Sequence, residues 1–214
     1  MQNCRNQIVW YVYTDIESSQ ARARLLHESE AQRCVQLQHN GCDYMLNTDV
    51  LNTYTEIGYK ACEQGHYEVA DQMFLAAIKE AQAAGEKDLR LGATLINIAA
   101  TYIERRLYRK AESLYKQALA LYNYVLGPNN WHCSMVLVNL AELCCLQGKF
   151  GQSVQFYKRA LTAAEKSSAR NLAELIHWHR RLAWIYMKQK KFADADQTYR
   201  RMLQLEQSVT SELA

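Results

Sequence analysis

Two sets of small residues recur along this chain in one register, and that recurrence restricts the fold more than any other feature. Gly58, Ala99, Ala141 and Ala183 are separated by steps of 41, 42 and 42 residues. Ala70, Ala111, Ser153 and Ala195 keep the same steps. Each member of the first set sits in a helical pattern of large apolar residues. The patterns read Tyr54-x-x-Ile57-Gly58-x-x-Ala61, Leu95-x-x-Ile98-Ala99-x-x-Tyr102, Leu137-x-x-Leu140-Ala141-x-x-Cys144 and His179-x-x-Leu182-Ala183-x-x-Tyr186. Each member of the second set is followed four residues later by an aromatic: Phe74, Tyr115, Tyr157 or Tyr199. A small residue lets two helix backbones approach, and large neighbours fill the space beside the contact. The unit is therefore a helix, a tight turn and a second helix, used four times.

This pattern resembles the tetratricopeptide repeat (TPR), whose usual period is about 34 residues. Here the extra residues lengthen the second helix and its loop. The longer form resembles the repeats of kinesin light chains and related bacterial proteins. The residues that carry this likeness run from Lys110 to Leu119, through Leu126-Gly127-Pro128, to Leu137–Ala141 and Leu146–Phe150. Trp131-His132 departs from the family's usual His-Pro. The resemblance implies an all-α fold, a right-handed α-α superhelix (TPR solenoid) of four helix-turn-helix repeats. First helices would line its concave face. It says little about role, because a fold does not by itself specify a function.

The repeats are expected over about 49–85, 89–126, 131–167 and 171–208, within a domain of 49–209. Gly127-Pro128 closes the second, since Gly accepts a left-handed conformation and Pro cannot continue a helix. Residues 1–48 form an N-terminal segment with a capping helix at about 20–38, stopped by Asn40-Gly41. Ile8–Tyr13 has strand-like composition but no evident partner strand. Residues 210–214 are read as a tail. No polar capping helix fits after Gln207, so Met202, Leu203 and Leu205 are expected to stay partly exposed.

The net charge of +3 is too small to argue for nucleic acid, and the 25 Lys and Arg are scattered among 22 acids. No apolar run approaches the ~18 residues needed to span a membrane. Seven cysteines form no regular disulfide framework, which favours a reducing compartment and a cytoplasmic location. No phosphate loop, metalloprotease helix or nucleophile elbow is present. The chain is therefore read as non-enzymatic, with no cofactor. His27, Cys34, His39 and Cys42 match no zinc-module spacing and are read as ordinary residues, so no metal is expected.

The informative positions lie on the first helices. The sixth position of each reads Glu56, Asn97, Asn139 and Arg181. An Asn amide is both donor and acceptor and can hold the backbone of an extended peptide. The TPR resemblance implies that role for Asn97 and Asn139. The alternatives are a solvated polar face or amides bonded within the array. The fourth repeat adds His177, Arg180, Arg181, Trp184 and Lys188, a basic cluster around a flat aromatic. Arg forks suit carboxylates, and Trp offers an apolar or cation-binding surface. Glu56, Glu63 and Glu104 stand at the other end, so a bound peptide is expected with its acidic part toward the fourth repeat. Chaperone-binding TPR domains hold a C-terminal carboxylate with a five-residue clamp. His177, Arg181 and Asn139 occupy three of its positions, but Ile96 and Ala100 stand where Lys and Asn belong. The reading is a protein- or peptide-binding scaffold or adaptor. Its alternative is a structural subunit, a homodimer formed through the C-terminal end.

Overall fold

The computed structural model describes residues 42–83, 85, 88–167 and 171–212, with side chains between residues 50 and 208. Ile8–Tyr13, the helix expected at about 20–38 and the side chains of the His27, Cys34, His39 and Cys42 set lie outside the described residues. The described residues hold eight helices and no strand. They are α1 (Cys42–Glu63), α2 (Tyr67–Ala83), α3 (Leu89–Glu104), α4 (Tyr108–Leu126), α5 (Trp131–Leu146), α6 (Phe150–Lys166), α7 (Leu172–Lys188) and α8 (Phe192–Glu212). Thus α1 starts before residue 49 and α8 runs past 208. No Gly or Pro interrupts the sequence over 42–57 or 193–212 to stop either helix early.

The turn inside each repeat follows one hydrogen-bond scheme. His66, Leu107, Lys149 and Lys191 donate their backbone N–H to the carbonyls of Ala61, Tyr102, Cys144 and Tyr186, at 2.8, 2.8, 2.8 and 2.9 Å. The residue before each donor is left-handed: Gly65 (φ 76°), Arg106 (φ 59°), Gly148 (φ 72°) and Lys190 (φ 61°). This is a Schellman-type helix end, and two of the four carry it without glycine. Helix starts also recur. The side chains of Asp88, Asn130 and Asn171 accept N–H bonds at the heads of α3, α5 and α7. These caps hold donors that the helix itself leaves unpaired.

The chain divides into two compact units, one through Ala111 and one from Glu112. In the first, Gly58 lies against the ring of Phe74. A Cβ at Gly58 would stand 2.4 Å from Phe74 Cε1. The small residue is therefore required by the ring, as the repeat pattern predicts. Phe74 is fully buried and meets Tyr102 edge-on, with ring centroids 6.2 Å apart. Leu51, Ala77 and Ala81 form an adjoining cluster with Tyr54 and Leu91. Asp71 ties α2 to the next repeat by accepting from Arg105 at 2.5 Å and Lys110 at 2.7 Å. The Arg105 guanidinium also lies 4.5 Å from the centre of the Tyr67 ring.

The second unit has a continuous core from α5, α6, α7 and α8, including Leu137, Ala141, Tyr157, Ala160, Trp178, Leu182, Ile185 and Ala195. Trp178 is fully buried and stacks on Trp131 at 4.9 Å with the rings 17° from parallel. The aromatic pair joins the start of α5 to the second turn of α7. At the C-terminal end Met202 is buried, contrary to the exposure expected of it, because it turns toward the core side of α8. Leu205 is half-buried against the same core, while Leu203 is exposed.

Candidate functional site

The candidate residues of the fourth repeat separate by direction. Arg181 reaches back from α7 to α5, where Glu142 accepts from its Nε at 2.7 Å and its Nη2 at 2.5 Å. Both side chains are largely buried, at 11% and 13% exposure. The Tyr157 hydroxyl of α6 donates to the same Glu142 carboxylate. Burial, together with the Glu142 charge, pushes the Tyr157 phenol well up, so it remains a donor. Three helices thus meet on one carboxylate. Glu142 and Tyr157 were not among the sequence candidates. Glu142 occupies the ninth position of the third repeat's first helix, and only packing brings it beside the sixth position of the fourth.

Trp184 stands one turn beyond Arg181. Its ring lies 5.0 Å from the Arg181 guanidinium and 5.4 Å from the Lys188 ammonium. The Phe150 ring meets it edge-on at 6.2 Å. Trp184 is half-buried, and Lys188 is exposed with no carboxylate partner among the described residues. His177 is half-buried one turn before Arg181. Burial first, and then the Arg181 charge, hold it below the ordinary histidine range, against the opposing pull of Glu142. It is therefore neutral near pH 7.

Arg180 points elsewhere. It is exposed and pairs at 3.1 Å with Glu206 of α8. The structure therefore gathers His177, Arg181, Trp184 and Lys188, and turns Arg180 toward the second helix of its own repeat. Asn139 is half-buried on α5, one turn before Glu142. Its side-chain amide bonds to no other described residue. Asn97 on α3, in the first unit, is likewise half-buried with its amide unbonded among the described residues. Glu56, Glu63 and Glu104 are exposed, and burial of part of the Glu104 side chain raises its carboxyl.

The arrangement offers a flat aromatic surface, an adjacent cation with no described carboxylate partner and an amide with open donor and acceptor. No nucleophile stands beside an activating base in this group. Among the described residues, no three His, Cys, Asp or Glu side chains gather as a metal site. No described helix is long and apolar enough to cross a membrane.

The tetratricopeptide repeat family model matches residues 49–123 and 133–207. The chain belongs to the tetratricopeptide repeat family. Tetratricopeptide repeats generally mediate protein–protein interactions, and proteins built from them are typically scaffolds rather than enzymes. No curated protein matches the chain in sequence. Solved structures match it in fold. BtubC (BKLC) from P. vanneervenii gives a TM-score of 0.66 at 18% identity, covering 96% of this chain and 80% of its own. A Podosopora anserina protein described as a kinesin light chain with nearly identical TPR-like repeats gives 0.59 at 13% identity, covering 97% and 95%. The MamA RS-1 double mutant gives 0.53 at 15% identity, covering 92% and 95%. At these identities the likeness concerns the fold alone. It agrees with the all-α TPR architecture and with the kinesin-light-chain type of repeat.

Proposed function

We propose that this TPR chain is an adaptor that captures an acidic protein segment on the first-helix face of its third and fourth repeats. The supporting observation is Trp184, held between two cations of different status. Arg181 is committed to Glu142 and fixes the ring. Lys188 has no carboxylate partner among the described residues and can meet a ligand carboxylate. An apolar or aromatic ligand side chain would lie on the Trp184 ring, with an acidic neighbour on Lys188. Asn139 would bond the ligand backbone, and Asn97 offers the same amide in the first unit. His177, kept neutral, would add a hydrogen bond without charge. Arg180 would join the contact only by leaving Glu206 of α8, toward which it points; that pair is exposed to solvent and exchangeable. The first helices of the third and fourth repeats, α5 and α7, line the surface this reading uses.

A cytoplasmic location accompanies the reading. Among the cysteines whose side chains are described, Cys62, Cys133 and Cys144 are free thiols. Burial pushes the Cys133 and Cys144 thiols up, which makes them inert packing groups suited to a reducing compartment.

The test is selection of the full chain against a random peptide library, followed by titration of the best peptides. Acidic sequences carrying an aromatic or large aliphatic residue are expected. Lys188→Glu and Trp184→Ala should each weaken binding by about tenfold or more, or ~1.4 kcal/mol. Asn139→Ala should weaken every selected peptide by a similar factor, because its partner is backbone. Parental affinity in all three variants would remove the proposal.

A further inference from the structure

The outer face of α8 carries an apolar stripe that the described residues leave largely exposed. Phe192, Tyr199 and Leu203 are 61%, 40% and 50% exposed. With Asp196 they follow the spacing i, i+4, i+7, i+11, so all four lie on one side of the helix. The core side of the same helix is separate and carries Ala195 and Met202. Arg200 flanks the stripe and is highly exposed, as is Asp196, with which it pairs at 2.8 Å.

The stripe is complementary to itself under a two-fold axis. Two copies of α8 laid antiparallel and centred between residues 197 and 198 bring Phe192 of one copy opposite Leu203 of the other. The same operation places Asp196 opposite Tyr199 and within one turn of Arg200. Apolar ends then meet apolar ends. At the centre, a carboxylate meets a hydroxyl donor and a guanidinium. The reversed pattern matches itself in charge as well as in hydropathy, as an isologous contact requires. A partner of unrelated sequence would have to reproduce this order, whereas a second copy supplies it automatically.

We propose that α8 is a homodimer interface, in which two copies of this chain pair antiparallel through Phe192, Asp196, Tyr199, Arg200 and Leu203. The contact uses a surface separate from the Trp184 site, so each dimer would present two such sites. A single helix pair buries less than the ~800 Å² per partner of a standard interface, so the dimer is expected to be weak and reversible.

Sedimentation equilibrium of the full chain from ~10 µM to ~1 mM reads the association. A monomer–dimer equilibrium is expected. Leu203→Glu should weaken it at least tenfold, with the circular dichroism spectrum unchanged because the position is exposed. Asp196→Arg alone and Arg200→Asp alone should each weaken it, since each sets like charges opposite one another. The double variant Asp196→Arg with Arg200→Asp should regain most of the parental association. Failure of the double variant to recover would overturn the antiparallel register. A dimer indifferent to Leu203→Glu would place the interface elsewhere. A strict monomer would also overturn the proposal, whether the stripe exchanges its amides freely or is protected by another segment of the same chain.

Discussion

Single residues set the local geometry of the repeats, and three of them give direct tests. Gly58 touches the Phe74 ring so closely that any Cβ must displace it, and Phe74 is fully buried. Gly58→Ala should therefore destabilise the chain by about 1–2 kcal/mol, although alanine favours helix elsewhere. Thermal melting of the variant would show the sign. Lys190 is the opposite case. It holds a left-handed φ of 61° at an exposed turn whose counterparts in the first and third repeats are Gly65 and Gly148. Lys190→Gly should gain about 0.5–1 kcal/mol by relieving the Cβ clash. A lowered melting temperature would contradict that account. His179 stands where the other repeats have Tyr54, Leu95 and Leu137, and neither ring nitrogen has a partner among the described residues. Burial holds its pKa below the ordinary value, against the pull of Glu165 and with the push of Arg201. The unfolded chain therefore binds the proton more readily, and stability is lost as pH falls below about 6.5. His179→Leu should gain about 1 kcal/mol at pH 7.5, with a larger gain at pH 5. Equal gains at the two pH values would show that His179 does not titrate on unfolding.

At the scale of the element, α5 and α7 share one carboxylate beside their apolar core. Glu142 takes two bonds from Arg181 and one from Tyr157, so helices of two successive repeats share it. Arg181→Ala would leave a mostly buried carboxylate without its cation and should cost about 2 kcal/mol. Arg180→Ala should cost under about 0.5 kcal/mol, because its pair with Glu206 is exposed. Chemical denaturation of both variants gives the comparison. Equal costs would mean that burial of the Arg181 pair has no energetic weight. The sequence showed Arg180 and Arg181 as a single basic patch. The structure sends one to α5 and the other to α8, a distinction that depends on neighbours 39 and 26 residues away.

For the whole molecule, stability should follow the distribution of core. Repeat proteins gain stability from neighbour contacts, so regions packed on both sides open last. The cluster that joins α5 to α8 includes the stacked Trp131 and Trp178 and many buried side chains. Along the described side chains of α1, only Leu51, Gly58 and Ala61 are buried. Amides of α5 and α7 are therefore expected to exchange more slowly than those of α1. Hydrogen exchange resolved by peptide would decide it, and faster exchange in α7 than in α1 would refute it.

The repeat register was set by the sequence alone, because a small residue at a helix contact is a local requirement repeated four times. Gly58, Ala99, Ala141 and Ala183 marked the first helices without any knowledge of their neighbours. The Gly-Pro stop at Gly127-Pro128 was equally local, whereas the caps at Asp88, Asn130 and Asn171 were identified only from the folded helices. The N-terminal 41 residues carry none of this repeat register, although a capping helix is read at about 20–38. Tertiary structure decided how the polar residues are used. Glu142 binds Arg181, Lys188 has no carboxylate partner among the described residues, Met202 is buried and Phe192 is exposed. Those outcomes depend on which side of one helix meets the next. A repeat pattern fixes the spacing of side chains along each helix, whereas their charge partners come from other helices and are chosen only when the helices pack.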